Sequence, residues 1–341
     1  MLKKISLGDG RVVAVDAARF AAFDALRPQL ERAFAADGRL MARDAGEALA
    51  FLVSQLAYTE AQAYAKLYTP MQFREFIPVS GEGGWKDEIR YELLDFAGQG
   101  KRISGAGRDL ARADVQFGAK SFPVETGGMA YGYLQEELMK SAYFRTPLPS
   151  ARLEAAMLGA ERHLNDVALN GEQNLTGFFN NANVPQGNAP TGTWGSATPD
   201  NILKDINTGI STVWSNTAYN DQVTDIAMAP SAYAYIASTP RSSTSDTTIL
   251  KYLLENNIAK LERGIDLRIR PCYGLNTAGS GGTRRAIYYV RKESRLKMHI
   301  PIELQFLAPQ YVGLEVEIPG TYRYSGVEWR YPKSALYQDN L

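Results

Sequence analysis

Residues 150–171 read SARLEAAMLGAERHLNDVALNG and carry the clearest helical signal in the chain. Apolar and small residues recur there at spacings of three and four, which places them on one face of a helix. This face contains Leu153, Ala156, Met157, Ala160, Leu164, Val167 and Ala168. Ser150 is a preferred N-cap residue, and Gly171 can take the left-handed conformation with which many helices end. The stretch predicts a helix about 30 Å long, whose packing surface we expect to include Leu153, Met157, Ala160 and Leu164.

The segments before this helix change period. Residues 17–36 and 44–67 have helical patterns, and the first is interrupted by Pro28, which should end or kink a helix. Residues 73–79 then predict a strand broken by a proline. We expect residues 1–45 to be either a helix packed on the main body or an arm that becomes ordered against a neighbour.

A long hairpin is predicted next. Residues 89–93 and 115–119 each alternate apolar and polar side chains, as half-exposed strands do. Between them lies the glycine- and charge-rich stretch FAGQGKRISGAGRDLARAD, whose spacing matches neither the Walker pattern nor the dinucleotide fingerprint. Loops of this length are often functional, and a hairpin with no covering layer is barely stable alone in water. We therefore expect it to lie on another subunit.

The chain after the long helix first runs through a loop rich in Asn, Gly and Pro, and then alternates helix and strand. Helices are predicted at 202–214, 231–237 and 248–258, and strands at 225–228, 267–270 and 286–290. We expect Ser245 or Asp246 to cap the third helix and a glycine-rich turn to separate the last two strands. This pattern predicts a mixed α/β unit.

The C-terminal part is rich in predicted strands. Residues 312–318 alternate apolar and polar side chains, Pro319 and Gly320 predict a turn, and residues 327–331 alternate again. Long period-two strands of this kind are typical of a twisted antiparallel sheet with one buried face.

Composition bounds the class of protein. The chain has 341 residues, which predicts two compact units or one unit with long extensions, and its 45% hydrophobic content can build a core. Its 37 basic and 37 acidic residues balance, which argues against a dedicated DNA-binding protein because phosphate contacts need a basic excess. We find no stretch that matches a signal peptide or a membrane span, and we expect a soluble protein made in the cytoplasm.

Few residues carry the chemistry of an active site. His163 and His299 are far apart, and we interpret His163 with Asp166 as a surface contact and His299 as structural. The single cysteine, Cys272, excludes a disulfide framework and favours a buried inert thiol. Two histidines and one cysteine cannot supply a zinc site. We predict no catalytic constellation, no metal site and no cofactor, so the protein should not be an enzyme.

One local cluster of basic residues stands out in this neutral chain. It contains Arg284, Arg285, Arg291, Lys292, Arg295 and Lys297. Two interpretations remain open: a solvated strand face, or a surface turned toward a polyanion, to which counterion release would give weak, sequence-independent attraction.

The order of these elements, and two stretches in particular, resemble a known family. The stretch YGYLQEELMKSAYFRTPLPSARLEAAMLGAERHLNDVALNGEQNLTGFFNN at 131–181 and the stretch YRYSGVEWRYPKSALY at 322–337 carry the resemblance. They look like segments of the Hong Kong 97-type major capsid proteins of tailed bacteriophages and prophages. The resemblance implies an α+β Hong Kong 97-like capsid fold with a long spine helix, an extended β-hairpin (the E-loop), and peripheral and axial domains.

The resemblance also implies a division of the chain. It assigns 1–70 to an N-terminal arm and helix, 71–125 to the extended loop, 126–195 to the peripheral domain with the spine helix, 196–300 mostly to the axial domain, and 301–341 to C-terminal strands that return to the peripheral domain.

Two sets of packing contacts follow from this division. The small residues of the spine helix, such as Gly159, would be the surface on which the C-terminal strands lie, so a bulky substitution there should damage folding. The hairpin would overlap a neighbouring subunit. The candidates for inter-subunit contact are Trp85, Arg90, Lys101, Arg102, Arg108 and Arg112.

The implied function is a major capsid protein that self-assembles into an icosahedral phage shell enclosing double-stranded DNA. Its partners would be other copies of itself in hexamers and pentamers, scaffold, portal and decoration proteins, and DNA in weak non-specific contact, with no membrane partner. It would be located in the virion capsid after assembly in the host bacterial cytoplasm. The alternatives are an encapsulin-like compartment that encloses an enzyme, and a soluble α/β enzyme with an unrecognised site.

Overall fold

The computed structural model divides the chain into two compact units, Met1–Tyr68 and Thr69–Leu341. It describes residues 2–6, 12–16, 69–97, 114–144, 150–195, 197–242 and 246–341. In the first unit, strand β1 (Leu2–Ser6) pairs with strand β2 (Val12–Asp16) in antiparallel register. The helices predicted over 17–36 and 44–67 lie outside the described residues.

The second unit contains the remaining described elements. Its helices are α1 (Phe73–Phe76), α2 (Gln135–Phe144), α3 (Ala151–Asn170), α4 (Pro199–Asn216), α5 (Pro230–Ser238), α6 (Ile249–Glu255) and α7 (Ile258–Arg263). Its strands are β3 (Val79–Ser80), β4 (Glu88–Ala97), β5 (Asp114–Leu134), β6 (Gln186–Asn188), β7 (Asp225–Met228), β8 (Arg268–Pro271), β9 (Arg285–Tyr289), β10 (Leu296–His299), β11 (Ile302–Phe306), β12 (Gln310–Val312), β13 (Glu315–Ser325), β14 (Val327–Trp329) and β15 (Ala335–Asp339). None of the described helices combines the length and apolar character that crossing a membrane requires.

The long helix is confirmed, with different end contacts from those expected. Ser150 has helical dihedral angles, and its hydroxyl donates a hydrogen bond to Glu154 at 3.4 Å. Gly171 ends α3 with φ 79° and ψ 170°, a conformation that is essentially restricted to glycine. A Cβ atom at this position would lie 2.5 Å from the Leu175 carbonyl oxygen. A glycine is therefore required both by the dihedral angles and by the returning chain.

The prediction of a broken strand at 73–79 is wrong for the first half of that range. Residues Phe73–Phe76 form the one-turn helix α1. Phe73 and Phe76, three residues apart, are both buried on the same side of this turn. The side chain of Asn165, on α3, accepts hydrogen bonds from the backbone N–H groups of Gln72 (3.0 Å) and Phe73 (3.2 Å). These contacts satisfy N–H groups that a helix start leaves unpaired, so α1 depends on the spine helix.

One sheet joins the predicted hairpin to the body, in the strand order β11–β13–β5–β4, with β12 paired to β13. The described stems of the hairpin are confirmed, because β4 pairs in antiparallel register with the first half of β5, from Glu88 opposite Pro123 to Ala97 opposite Asp114. The second half of β5 pairs with β13, from Val124 opposite Ser325. The tip between β4 and β5 lies outside the described residues.

The turn predicted at Pro319 and Gly320 is wrong, because both residues lie inside β13. The Pro319 carbonyl accepts a hydrogen bond from Leu307 N–H at 2.8 Å. A Cβ atom at Gly320 would lie 2.8 Å from the Phe306 ring, so the glycine there makes room for an aromatic side chain. The actual turn joins β12 to β13 and contains Gly313 with φ +63°.

A second sheet forms the core of the mixed α/β unit, in the strand order β6–β15–β9–β7–β8. Strands β8 and β9 flank β7 and do not pair across the glycine-rich turn. The last strand, β15, pairs with β9 and β6. Residues 301–341 therefore contribute to more than one sheet, since β11 to β13 join the hairpin sheet and β15 joins this one, and their assignment to a peripheral domain stays a prediction.

The helix predicted at 248–258 is confirmed as α6, which ends at Glu255, and a separate helix, α7, begins at Ile258. The Thr248 side chain caps α6 by accepting from Lys251 N–H, and the Asn257 side chain caps α7 by accepting from Lys260 N–H. Asp246 is not the capping residue, and Ser245 lies outside the described residues. A second Asx or Thr cap inside the stretch explains why one continuous helical pattern gives two helices.

Candidate assembly surfaces

The hairpin stem, which we define as Glu88–Ala97 with residues 114–123, projects from the body with little cover. In 114–123 no side chain is buried, and Phe117 is 75% exposed. On the opposite face Tyr91 stacks on Phe122 with ring centroids 5.9 Å apart. A two-stranded ribbon of this kind has apolar side chains to bury and no second layer in the described residues to bury them against.

Two of the six candidates for inter-subunit contact lie in the described residues. Trp85 is 72% exposed in the turn before β4, and Arg90 is exposed on β4. The other four candidates, Lys101, Arg102, Arg108 and Arg112, lie in the tip, outside the described residues. The structure therefore describes the stem that would carry the tip and leaves those four assignments as predictions.

Two charge networks lie at the base of this stem, and the second is the more buried. The buried Arg323 side chain donates to Asp87 at 2.8 Å, and its guanidinium lies 5.7 Å from the Trp85 ring centroid. Arg330 lies 5.0 Å from the Tyr91 ring centroid and donates to Glu328 at 2.7 Å. Both arginines therefore connect the hairpin to strands of the body.

Glu328 in the second network also pairs with His299 at 2.8 Å, and both side chains are buried. Burial alone would raise the pKa of Glu328, but hydrogen bonds from His299 and Arg330 outweigh burial and lower it. Burial, followed by the charge of Glu328, raises the pKa of Tyr91. These contacts agree with the structural role predicted for His299.

The spine helix packs differently from the predicted face. Ala160 and Leu164 are buried and Leu153 is half-buried, but Met157 is 52% exposed. The prediction that Met157 packs within the subunit is wrong. The buried side of the helix contains Ala156 and Ala160, and Met157 lies beside it. A Cβ atom at Gly159 would meet the Met129 methyl group at 2.8 Å, so the strand over this part of the helix is β5.

The C-terminal strand β13 reaches the spine helix further along, through aromatic side chains. His163 Nδ1 lies 2.7 Å from the Tyr322 hydroxyl, and His163 Nε2 lies 3.3 Å from Glu172. The Tyr324 hydroxyl donates to the same carboxylate at 2.8 Å. The predicted pairing of His163 with Asp166 is therefore replaced by contacts that join α3 to β13.

A second exposed surface lies at the far end of the hairpin sheet, where α2 meets the β12–β13 turn. Eight large apolar side chains, each more than half exposed, form what we call the distal patch. They are Leu134, Met139, Tyr143, Phe144, Leu307, Tyr311, Val312 and Leu314. This is half of the large exposed apolar side chains in the described residues. An apolar concentration of this kind is typical of an interaction surface.

The basic cluster at 284–297 is not a single solvated face, because three of its six members are buried or ion-paired within the subunit. Arg285 is buried and pairs with Asp339, with Nε–Oδ1 2.6 Å and Nη2–Oδ2 2.9 Å. Arg295 pairs with Asp221 at 2.6 Å, and Lys297 is buried. Half of the local basic charge is therefore used inside the subunit, and the sequence did not reveal partners that lie more than 40 residues away.

The remaining chemical candidates behave as structural groups. Cys272 is buried, and desolvation raises the pKa of its thiol to about 12, as expected for an inert cysteine. Across the described ranges, no group of three or more His, Cys, Asp or Glu side chains is placed to hold a metal ion.

Comparison with known proteins identifies the family to which the chain is similar. A family model described as "Major capsid protein" matches residues 98–341. A search of curated protein sequences gave no match.

Solved structures with the same fold include three from phage or phage-like particles. The capsid of Myoviridae phage XM1 aligns with a TM-score of 0.71 at 18% identity, covering 89% of this chain and 99% of that one. Gordonia phage Cozz aligns with a TM-score of 0.55 at 13% identity, covering 84% and 92%. The capsid of an empty GTA particle aligns with a TM-score of 0.55 at 10% identity, covering 83% and 94%.

The family match covers the second half of the hairpin stem, the spine helix, the mixed sheet and the C-terminal strands. The structural matches extend the similarity over most of the chain, at identities that speak for the fold alone. The chain therefore belongs to the major capsid protein family, has the α+β Hong Kong 97-like fold, and is a structural, shell-forming subunit of a phage capsid.

Proposed function

We propose that this chain assembles as hexamers and pentamers into an icosahedral shell that encloses double-stranded DNA. The observation that carries the proposal is the hairpin stem, whose ribbon extends from the body with no buried side chain in 114–123. Such a ribbon gains stability when another subunit covers it. Residues 71–125 would then be the extended loop that overlaps a neighbour, and the tip residues Lys101, Arg102, Arg108 and Arg112 would contact it.

The net charge supports the DNA-filled interior. The basic and acidic residues balance at 37 each, and two arginines of the basic cluster, Arg285 and Arg295, are paired with acids within the subunit. A wall without a strong basic excess holds DNA weakly and without sequence preference. Such a wall permits both filling and release, whereas a strongly basic wall would retain the nucleic acid.

The proposal includes a location and a set of partners. Assembly would take place in the host bacterial cytoplasm, with scaffold, portal and decoration proteins as partners. The protein would have no enzymatic activity, because its buried cysteine and two histidines are engaged in packing and hydrogen bonds. The family match does not favour the encapsulin-like compartment or the soluble enzyme.

Sedimentation velocity and negative-stain electron microscopy of the purified full chain test this proposal. We expect particles of uniform diameter, formed either by the chain alone or after co-expression with neighbouring phage genes. Filled particles should contain nuclease-resistant double-stranded DNA. A chain that stays monomeric under all of these conditions would contradict the proposal.

A matched pair of variants separates assembly from folding. Phe117→Ser removes an exposed apolar side chain from the stem, and Leu261→Ser removes one of similar exposure (76%) from α7. Both variants should unfold at the same denaturant concentration as the wild type. We expect Phe117→Ser to reduce particle yield strongly while Leu261→Ser leaves it close to that of the wild type.

A further inference from the structure

We propose that the distal patch is a contact surface for a second copy of this chain, and that Arg152 on the spine helix positions it. The inference rests on the proposed shell function and adds a surface distinct from the hairpin. It concerns the α2 helix and the β12–β13 turn, at the opposite end of β5 from the hairpin stem.

Helix α2 buries none of its side chains against the part of the chain that the structure describes. Its ten residues, Gln135–Phe144, include no buried side chain, and Tyr143 is 82% exposed. An isolated helix shorter than about 12–15 residues is marginal in water, and helices in proteins gain most of their stability from packing an apolar face. Met139 and Tyr143, four residues apart, lie on one exposed side of this helix. That side is left without cover among the described ranges, and it is available to a partner.

Polar contacts hold α2 in place instead of a core. The Arg152 guanidinium donates to both carboxylate oxygens of Glu137, at 2.8 and 3.0 Å, and to the Gly132 carbonyl at 2.7 Å. The same guanidinium lies 4.9 Å from the Tyr133 ring centroid. Glu137 also accepts from the Leu134 N–H at the helix start. A bidentate pair of this kind fixes orientation as well as distance, so Arg152 sets the direction in which the apolar side faces.

The start of the helix and the turn contact each other within the patch. The Gln135 N–H donates to the Leu314 carbonyl at 2.9 Å, which joins the start of α2 to the start of β13. Leu134, Met139 and Leu314 line one open groove at this junction. From Leu314 the surface continues through the turn to Tyr311, which is 79% exposed.

The size of the patch fits a protein partner. An aromatic side chain offers roughly 200 Å² and an aliphatic one roughly 100 Å², so these three aromatic and five aliphatic side chains, each more than half exposed, present on the order of 700 Å². This is about the area that one partner contributes to a standard protein–protein interface. It also exceeds the roughly 300–600 Å² of the largest apolar patch on a typical monomer.

The charges beside the patch favour another copy over a lipid surface. Glu136 and Lys140 pair with each other at 2.6 Å on the side of α2, and Glu137 pairs with Arg152. A helix that lies on a membrane carries an excess of Lys and Arg on its polar face, whereas these charges balance. A shell brings many copies of the same chain together, which supplies the partner at high local concentration.

The first test removes apolar side chains from the patch. The double variant Tyr143→Ser/Leu314→Ser should keep the wild-type circular dichroism spectrum and unfolding midpoint, because both side chains are more than three-quarters exposed. We expect the concentration needed for particle formation to rise at least tenfold, whereas Leu261→Ser should leave it unchanged. Particle formation by the double variant at the wild-type concentration would overturn the inference.

The second test locates the contact directly. Cys272 is the single native cysteine and is buried, so a cysteine introduced at the surface is the only reactive thiol. Tyr143→Cys and Tyr311→Cys should form covalent dimers with a short bismaleimide linker, and Leu261→Cys should not. Failure of both patch variants to cross-link in assembled particles would overturn the inference.

The cross-linking test also separates this inference from the proposed function. If the wild-type chain forms no particles, the shell proposal fails, and the same linker is applied to the concentrated free chain. Dimers linked through the patch positions would then still support the surface, and their absence would overturn it.

The role of Arg152 has its own readout. Arg152→Met removes the bidentate pair with Glu137 and keeps an apolar stem of similar length, whereas Arg152→Lys keeps one charged contact. We expect Arg152→Met to lower the yield of the Tyr143→Cys cross-link several-fold at an unchanged unfolding midpoint, with partial rescue by lysine. An unchanged cross-link yield in Arg152→Met would remove Arg152 from the proposal.

Discussion

The two halves of strand β5 have the same backbone conformation and opposite surroundings. In residues 114–123 the strand pairs only with β4 among the described residues and buries no side chain. In residues 124–134 it pairs with β13, and its Val124 and Tyr133 are buried. One strand therefore combines a part that pairs with the body of the subunit and a part that pairs only with β4 and stays exposed.

Strand β9 shows the stable extreme of this comparison. All five of its residues are buried, and it pairs with β7 on one side and β15 on the other. The difference teaches that strand formation alone does not report stability in this chain. Stability depends on paired strands at both edges and on buried side chains on both faces. Strand β9 in the mixed sheet has both, and the hairpin stem has neither among the described residues.

The largest expected change in unfolding free energy comes from a substitution in the mixed sheet. Tyr288→Ala removes a fully buried ring that packs against Gly209 and donates a hydrogen bond to Gln338. By analogy with other large-to-small core changes, we expect a loss of about 3–5 kcal/mol in the free energy of unfolding. Phe117→Ala in the hairpin stem should change it by less than about 0.5 kcal/mol. Urea unfolding of the free subunit measures both, and equal losses would contradict the comparison.

The buried ion pair of the mixed sheet predicts a pH dependence. Burial alone would raise the pKa of Asp339, but hydrogen bonds from Arg285, Ser280 and Gln186 outweigh burial and lower it. An acid whose folded pKa is lowered stabilises the fold above its unfolded pKa, and this stability is lost as the pH falls through the folded pKa. We therefore expect stability to decline below about pH 4.

Asp339→Asn tests the source of that decline. At pH 7 the variant should be about 2–3 kcal/mol less stable than the wild type, because hydrogen bonds to a charged group are lost. Its unfolding free energy should depend less on pH between 5 and 2. A variant with the wild-type pH dependence would show that other carboxylates are responsible.

A smaller effect distinguishes two glycines near the spine helix. A Cβ atom at Gly127 would lie 2.4 Å from the ring of the buried Tyr322, whereas one at Gly159 would meet only the flexible end of Met129. Gly127→Ala should cost about 1–3 kcal/mol through overpacking. Gly159→Ala should be neutral or stabilising by up to about 1 kcal/mol, since alanine favours the helix. A loss of unfolding free energy in Gly159→Ala larger than in Gly127→Ala would support the expectation from the sequence that Gly159 lies in a tightly packed surface of the helix.

Much of this architecture could be predicted from local patterns. The spacing of Ala160, Leu164 and Val167 sufficed for the spine helix, and the alternation around Tyr91 and Phe117 sufficed for the hairpin stems. These signals are local because each depends only on which side of one element faces the body.

The errors arose where distant residues decide the local structure. Phe73 begins a helix because Asn165, more than 90 positions away, caps it. Gly320 lies within a strand, where the Phe306 ring occupies the position that a Cβ atom would take. Arg285 is buried because Asp339 pairs with it. The distal patch was not predicted either, since its helix and its turn come together only in the fold, although Tyr143 and Phe144 on a short helix were a visible signal.

Amide hydrogen exchange of the free subunit and of assembled particles tests the central claim, that the hairpin stem takes its stability from a neighbouring copy. In the free subunit, residues 88–97 and 114–123 should exchange far faster than β9. In particles, exchange in the stem should slow at least tenfold while β9 stays unchanged. A stem as protected as β9 in the free subunit, or equally unprotected in particles, would contradict the account.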